Sequence, residues 1–208
     1  MTTLRHSFIR RAWAAGLLLS LALVAGCATT ANSPSLFVLD SSPGTADAAP
    51  QPGAPTLMVA PVSTASYLDQ GGLVYQTGPH KVVIANDNRW ASSLSGQLTD
   101  DLYATLDQRL GGINVVRANS HQHDVYQLQT HVDQFLGHYD GNAHIAGRWT
   151  LIGPNGDTLA ARAFTRRVPL KTDGYPALVS SLSSGWHAIG RDMAPALAQT
   201  IKSRGSGS

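Results

Sequence analysis

The chain has 208 residues, 43% of them hydrophobic and only 13% charged, with a single cysteine and a formal net charge of +2. One cysteine excludes an intrachain disulfide and any metal site built on several thiolates. A charge this small, with only Arg162, Arg166 and Arg167 clustered beyond the first 26 residues, leaves no electrostatic footprint for nucleic acid.

A basic start (Arg5, Arg10, Arg11) is followed by an apolar stretch, residues 13–24, and by Leu23-Val24-Ala25-Gly26-Cys27. This is the order of a secretory signal: a positive end, an apolar segment and small residues before a cut. The apolar segment is too short for the roughly twenty residues that span a bilayer, which argues against an uncleaved anchor. The end of the run resembles the lipobox of signal peptidase II substrates. That resemblance implies a signal peptide over residues 1–26, removed before Cys27, with a diacylglycerol on the Cys27 thiol and an acyl chain on its amine. Several acyl chains, at about 0.8 kcal/mol per buried methylene, hold a protein stably at a membrane. Ala28, rather than aspartate, follows the cysteine. By the same resemblance this favours the inner leaflet of the outer membrane. Loss of residues 1–26 takes three arginines and no acid, turning the formal +2 into −1.

Residues 28–35 are small and polar and read as a short tether. At about 3.5 Å per residue they hold the next element within roughly 28 Å of the anchor. Residues 36–39 read as a first strand and residues 41–55, rich in proline and alanine, as a flexible loop. A buried strand is expected over 56–62, ended by Pro61. Residues 73–76 and 81–85 flank Thr77-Gly78-Pro79-His80 as a hairpin. From Trp90 the period changes, with Leu94, Leu98, Leu102, Leu106 and Leu110 every fourth residue. This predicts an amphipathic helix that Gly111-Gly112 stops. Residues 113–117 follow as a strand. Three antiparallel strands are expected over 124–135, 143–152 and 158–168, the last two joined through Pro154-Asn155-Gly156-Asp157. Residues 176–201 carry Leu178, Leu182, Trp186, Ile189, Met193, Leu197 and Ile201 at helical spacing, with Pro195 expected to kink or break the second helix. Residues 204–208 read as a polar tail. Together these elements predict a single α/β (α+β) domain: a mixed sheet with a three-stranded antiparallel block and two long helices packed on it.

Chemistry is sparse in the sequence. His121-Gln122-His123-Asp124 puts two imidazoles on one face of a strand, and His131, Asp133, His138 and His144 add candidates for a zinc site. The eight histidines are scattered and no H-E-x-x-H is present, so surface or strand-face histidines are expected and no metal is assigned. No Gly-x-Ser-x-Gly elbow and no phosphate-binding glycine loop occurs, and no catalytic residue is assigned.

Val59-Ala60-Pro61, Tyr67-Leu68-Asp69, Gly72-Leu73-Val74-Tyr75 and Asn88-Arg89-Trp90-Ala91-Ser92-Ser93-Leu94 occur in an order and spacing that resembles the ABC-type transport auxiliary lipoproteins, the PqiC-like family. The family's aromatic-x-leucine strand is matched by Phe37-Val38-Leu39. Two positions depart: Phe37 stands where tyrosine is commoner, and Ser92-Ser93 where the family tends to place Glu-Pro. The resemblance implies such a domain over residues 36–203. It implies a non-catalytic, cofactor-free outer-membrane lipoprotein facing the periplasm, an adaptor for an MCE-domain (PqiB-like) protein and associated membrane components that move lipid between two membranes. A homo-oligomer is a further implication. Tyr67, Leu68, Tyr75, Arg89 and Trp90, at loop or element boundaries, are the candidate partner contacts, since aromatics and arginine commonly form hot spots. The alternative for Tyr75 and Trp90 is core packing. Two other functions are a lipid-binding carrier with its own cleft and, less favoured, a zinc-dependent hydrolase using His121, His123 and their neighbours.

Overall fold

A computed structural model describes residues 33–40, 52–118 and 125–205. The signal segment, Cys27, most of the tether, most of the 41–55 loop, His121, His123 and Asp124 lie outside these. Among the described residues, nine strands and two long helices follow in the order β1 (Ser35–Phe37), β2 (Thr56–Val59), β3 (Ser63–Thr64), a 3-10 turn (Ser66–Gln70), β4 (Gly72–Gly78), β5 (Lys81–Trp90), α1 (Leu94–Arg109), β6 (Asn114–Arg117), β7 (Tyr126–His138), β8 (Asn142–Ile152), β9 (Thr158–Pro169) and α2 (Tyr175–Gly205). This is the mixed-sheet α+β domain that the periodicities predict.

The thirteen-residue β7 organises the sheet. Along one edge it pairs in parallel with three short strands in turn: Leu57–Val59 of β2 against Tyr126–Leu128, Ser63–Thr64 of β3 against His131–Val132, and Tyr75–Gln76 of β4 against Gly137–His138. Its other edge runs antiparallel to β8, which in turn pairs with β9. β6 lies parallel to β2, and β1 parallel to the far end of β5. Leu128, Thr130 and Val132 face inward, then the ladder with β8 jumps from Val132↔Gly147 to Gln134↔Ala146. Asp133 is the extra residue of a β-bulge, which shifts the parity of the strand and turns Phe135 into the core at 1% exposure. Opposite it stands Gly147, where an added Cβ would come within 2.1 Å of the His131 carbonyl oxygen and 2.7 Å of the Phe164 ring. Only glycine fits there.

Both helices lay their predicted stripes on this sheet. Leu94, Leu98, Leu102 and Leu106 of α1 and all seven predicted positions of α2 are buried. The Trp186 indole N–H donates to the Leu98 carbonyl at 3.1 Å, tying α2 to α1. The Trp186 ring stands edge-on to Phe135 and Phe164, with centroids 6.3 and 6.0 Å away. Asp101, buried on α1, meets the His187 Nε2 of α2 at 2.6 Å. The bond to Asp101 raises the His187 pKa above its ordinary value, against the opposing effects of burial and of Arg191.

Several boundaries differ from the sequence expectation. β5 extends to Trp90, because β1 pairs with Asn88, Arg89 and Trp90 and the Trp90 N–H reaches the Gly71 carbonyl. α1 therefore starts only at Leu94, capped by the Ser93 hydroxyl, which accepts from the Gly96 N–H. The first strand stops at Phe37, since the Leu39 N–H is taken by the Gln97 side chain. The expected 56–62 strand ends at Val59 and resumes as β3. α2 runs unbroken through Pro195 to Gly205, past the expected start of the tail. Burial of Met193, Ala194, Leu197 and Ile201 around the proline outweighs a helix penalty of about 3 kcal/mol.

Gly147→Ala is expected to destabilise the fold by ~1–3 kcal/mol through overpacking against the bulge, read as a lower urea midpoint at unchanged m-value. The His187–Asp101 pair has a pH signature. A histidine pKa raised on folding stabilises below its unfolded value of about 6.5, and that contribution is lost as pH rises through the folded value. The melting temperature should therefore carry a downward step above about pH 6.5, and His187→Gln should remove that step.

Candidate interaction surface

The five predicted contact residues separate into two groups. Leu68 is 1% and Trp90 6% exposed, and the Trp90 ring lies 6.1 Å from Phe135 in the core. Neither presents a surface to a partner, which corrects the expectation for Leu68 and for Trp90 matches the alternative of core packing. The cause is apolar area: Leu68 closes the 3-10 turn onto the core, and strand pairing carries Trp90 inward beside Phe37.

Tyr67 and Tyr75 are half-buried braces of β7. The Tyr67 hydroxyl donates at 2.8 Å to the carbonyl of Asp133, the residue that the bulge leaves without a ladder partner. Burial, and then the Asp133 charge, raise the Tyr67 pKa, so the phenol stays a donor throughout the physiological range. The Tyr75 hydroxyl donates at 2.9 Å to the His138 carbonyl, and its ring lies where a Cβ on Gly137 would otherwise stand, 2.3 Å from Tyr75 Cδ2. With Leu170, Tyr175 and Leu178 it also lines an apolar cleft beside the start of α2.

Arg89 alone of the five is exposed. Its guanidinium lies over Gly71, where a Cβ would sit 3.0 Å from the terminal nitrogen. In the β1–β5 register Leu36 stands beside Arg89 and Phe37 beside Trp90. The second pair points inward, so the first points outward. Leu36 and Val38 are 63% and 60% exposed, and β1 is the terminal strand of its side of the sheet. An outward face of two aliphatic side chains and an arginine results, a composition suited to a protein contact. Leu36 and Val38 were missed because residues 36–39 read as one apolar run; strict alternation, with Phe37 and Leu39 facing in, was the available signal. Val82, Val83 and Tyr139 are the other exposed large apolar side chains among the described residues, at the hairpin ends.

The basic run is an edge-strand feature. Arg166 is ion-paired with Asp192, and Arg162 approaches the Trp149 ring at 5.9 Å.

Residues 37–194 match the family described as ABC-type transport auxiliary lipoprotein component. The chain belongs to that family. It is 36% identical over 182 residues to the intermembrane transport lipoprotein PqiC of Escherichia coli K12, a match that covers 86% of this chain and 92% of the relative; the same protein of Shigella flexneri matches equally. Among solved structures, an uncharacterised protein superimposes with a TM-score of 0.70 at 32% identity, over 79% of this chain and 99% of that one. A Xanthomonas campestris protein shows the same fold at TM-score 0.68 and 20% identity, over 83% and 99% of the two chains. The family is one of PqiC-like intermembrane transport lipoproteins, as the sequence resemblance implied.

Tyr67→Phe, which deletes only the hydroxyl, should cost about 1 kcal/mol by leaving the Asp133 carbonyl without its donor. The thermal midpoint should fall by about 2–4 °C, the scale for a domain of this size. A drop in partner binding with no drop in stability would instead return Tyr67 to the contact surface.

Proposed function

We propose that the protein is a non-catalytic, lipid-anchored adaptor on the periplasmic side of the outer membrane, held by acyl chains on Cys27, which docks an MCE-domain protein of an intermembrane lipid transport system. The identity to PqiC over most of both chains carries this reading. Physical features agree with it: charged residues at 13%, against about 25% in an average soluble domain, and an exposed aliphatic face one short tether from the anchor. In this reading Arg89 is kept as a contact residue, and Leu36 and Val38 take the place of Leu68, Trp90, Tyr67 and Tyr75.

The test is to affinity-tag the C-terminus, solubilise membranes gently and identify what co-purifies with the wild type, Cys27→Ser, Leu36→Asp and Arg89→Glu. An MCE-domain protein should be recovered with the wild type and with Cys27→Ser, because the folded domain makes the contact. Leu36→Asp and Arg89→Glu should each reduce recovery severalfold at unchanged melting temperature, since both side chains are solvent-exposed. Purification free of any such partner, with bound phospholipid instead, would replace the adaptor with a carrier using the cleft of Tyr75, Leu170, Tyr175 and Leu178.

A further inference from the structure

The β7–β8 turn gathers three metal-ligating side chains that the sequence spacing did not single out as a set. β7 ends on His138, β8 begins at Asn142, and Gly141 takes the left-handed conformation (φ +80°) that lets so short a connection close. The closure brings His138 and His144 onto each other as stacked rings, centroids 4.1 Å apart and planes 9° from parallel. Asp140 lies across both: its Oδ1 is 2.9 Å from the His138 Nδ1 and its Oδ2 2.8 Å from the His144 Nε2. Each carboxylate oxygen thus faces a different imidazole.

We propose that His138, Asp140 and His144 form a binding site for one divalent transition-metal ion of the zinc class. The donor set is what such ions take, two neutral imidazoles and a carboxylate, leaving a further coordination position for water or for a group from outside. The spacing fits as well. Bonds of about 2.0–2.2 Å in a tetrahedral shell put neighbouring donor atoms about 3.3 Å apart, and here all three lie within 4.8 Å of one another. An ion therefore enters by a small outward movement of the aspartate; each neutral imidazole then binds through the nitrogen that faces Asp140 and carries its proton on the other, and at His138 the ion replaces the Asp140 N–H that now lies 3.2 Å from Nδ1.

The cluster is also pre-organised, which removes much of the ordering cost of binding. The two histidine side chains are only 15% and 12% exposed. The Asn142 N–H fixes the Asp140 Oδ1 at 3.0 Å. The Gly141 N–H and the Tyr75 hydroxyl both hold the His138 carbonyl, and the Tyr139 ring stacks on His138 at 4.1 Å.

The test is zinc titration of the full chain in detergent, stripped with a chelator and carrying no histidine tag, against a chromophoric competitor at pH 7.5. One equivalent should bind, and saturating zinc should raise the melting temperature. His144→Ala and Asp140→Asn should each weaken binding tenfold or more, while His131→Ala and the double variant His121→Ala/His123→Ala should leave it unchanged. Absence of saturable uptake, or uptake kept in His144→Ala and lost in the double variant, would overturn the proposal. If His144→Ala fails to fold, cobalt(II) added to the wild type decides instead. The intense visible bands of a low-coordinate site support the proposal, and the weak bands of a six-coordinate, water-like ion refute it.

Discussion

Phe135 reaches the core only because Asp133 is inserted into β7 with no partner on β8. Without that extra residue the inward set 128, 130, 132 would continue to 134 and 136, and Gln134 would occupy the place of an aromatic ring. An inserted residue strands its own carbonyl, and the Tyr67 hydroxyl satisfies it. The bulge also presses its backbone against β8, which the missing side chain at Gly147 tolerates. Three residues far apart in sequence thus serve one local irregularity, and the aromatic contacts of Trp90, Phe135, Trp186 and Phe164 follow from it.

The same requirement decides where the molecule can meet another. Tyrosines that brace β7 from the 3-10 turn and from β4 give their O–H protons to backbone carbonyls, so those donors are already used within the fold. Trp90 and Leu68 are consumed by the core. What remains for recognition is on the periphery of the sheet: the outward side of β1 and β5, and the hairpin ends. In a family of intermembrane transport lipoproteins this division is economical. In the proposed adaptor reading the middle of the sheet supplies stability and its margins make the contacts.

The β1 segment also links its margin to the helices. Past Phe37 its backbone leaves the sheet, the Leu39 N–H binding Gln97 of α1 and the Asp40 N–H binding Ser183 of α2. The part-buried His187–Asp101 pair lies on the same helix interface. The chain that leaves β1 is therefore fastened to both helices within a few residues of its exposed aliphatic face.

Where the determinant was periodic, residues alone were enough. The leucine stripe of α1, the seven-residue stripe of α2 and the alternation along β8 can each be read from neighbours in sequence, because each concerns a single element and its own repeat. The family, too, was legible from short motifs in order. Tertiary structure decided the rest, because it depended on which strands came together. Pairing with β1 drew Trp90 into β5 and moved the start of α1; a bulge gave Tyr67 a structural carbonyl to hold; burial around Pro195 carried α2 through a residue that locally opposes a helix. The juxtaposition of His138, Asp140 and His144 belongs to the same class, since a turn closed by Gly141 and two strands in register bring their donor atoms together, and no local period encodes that meeting.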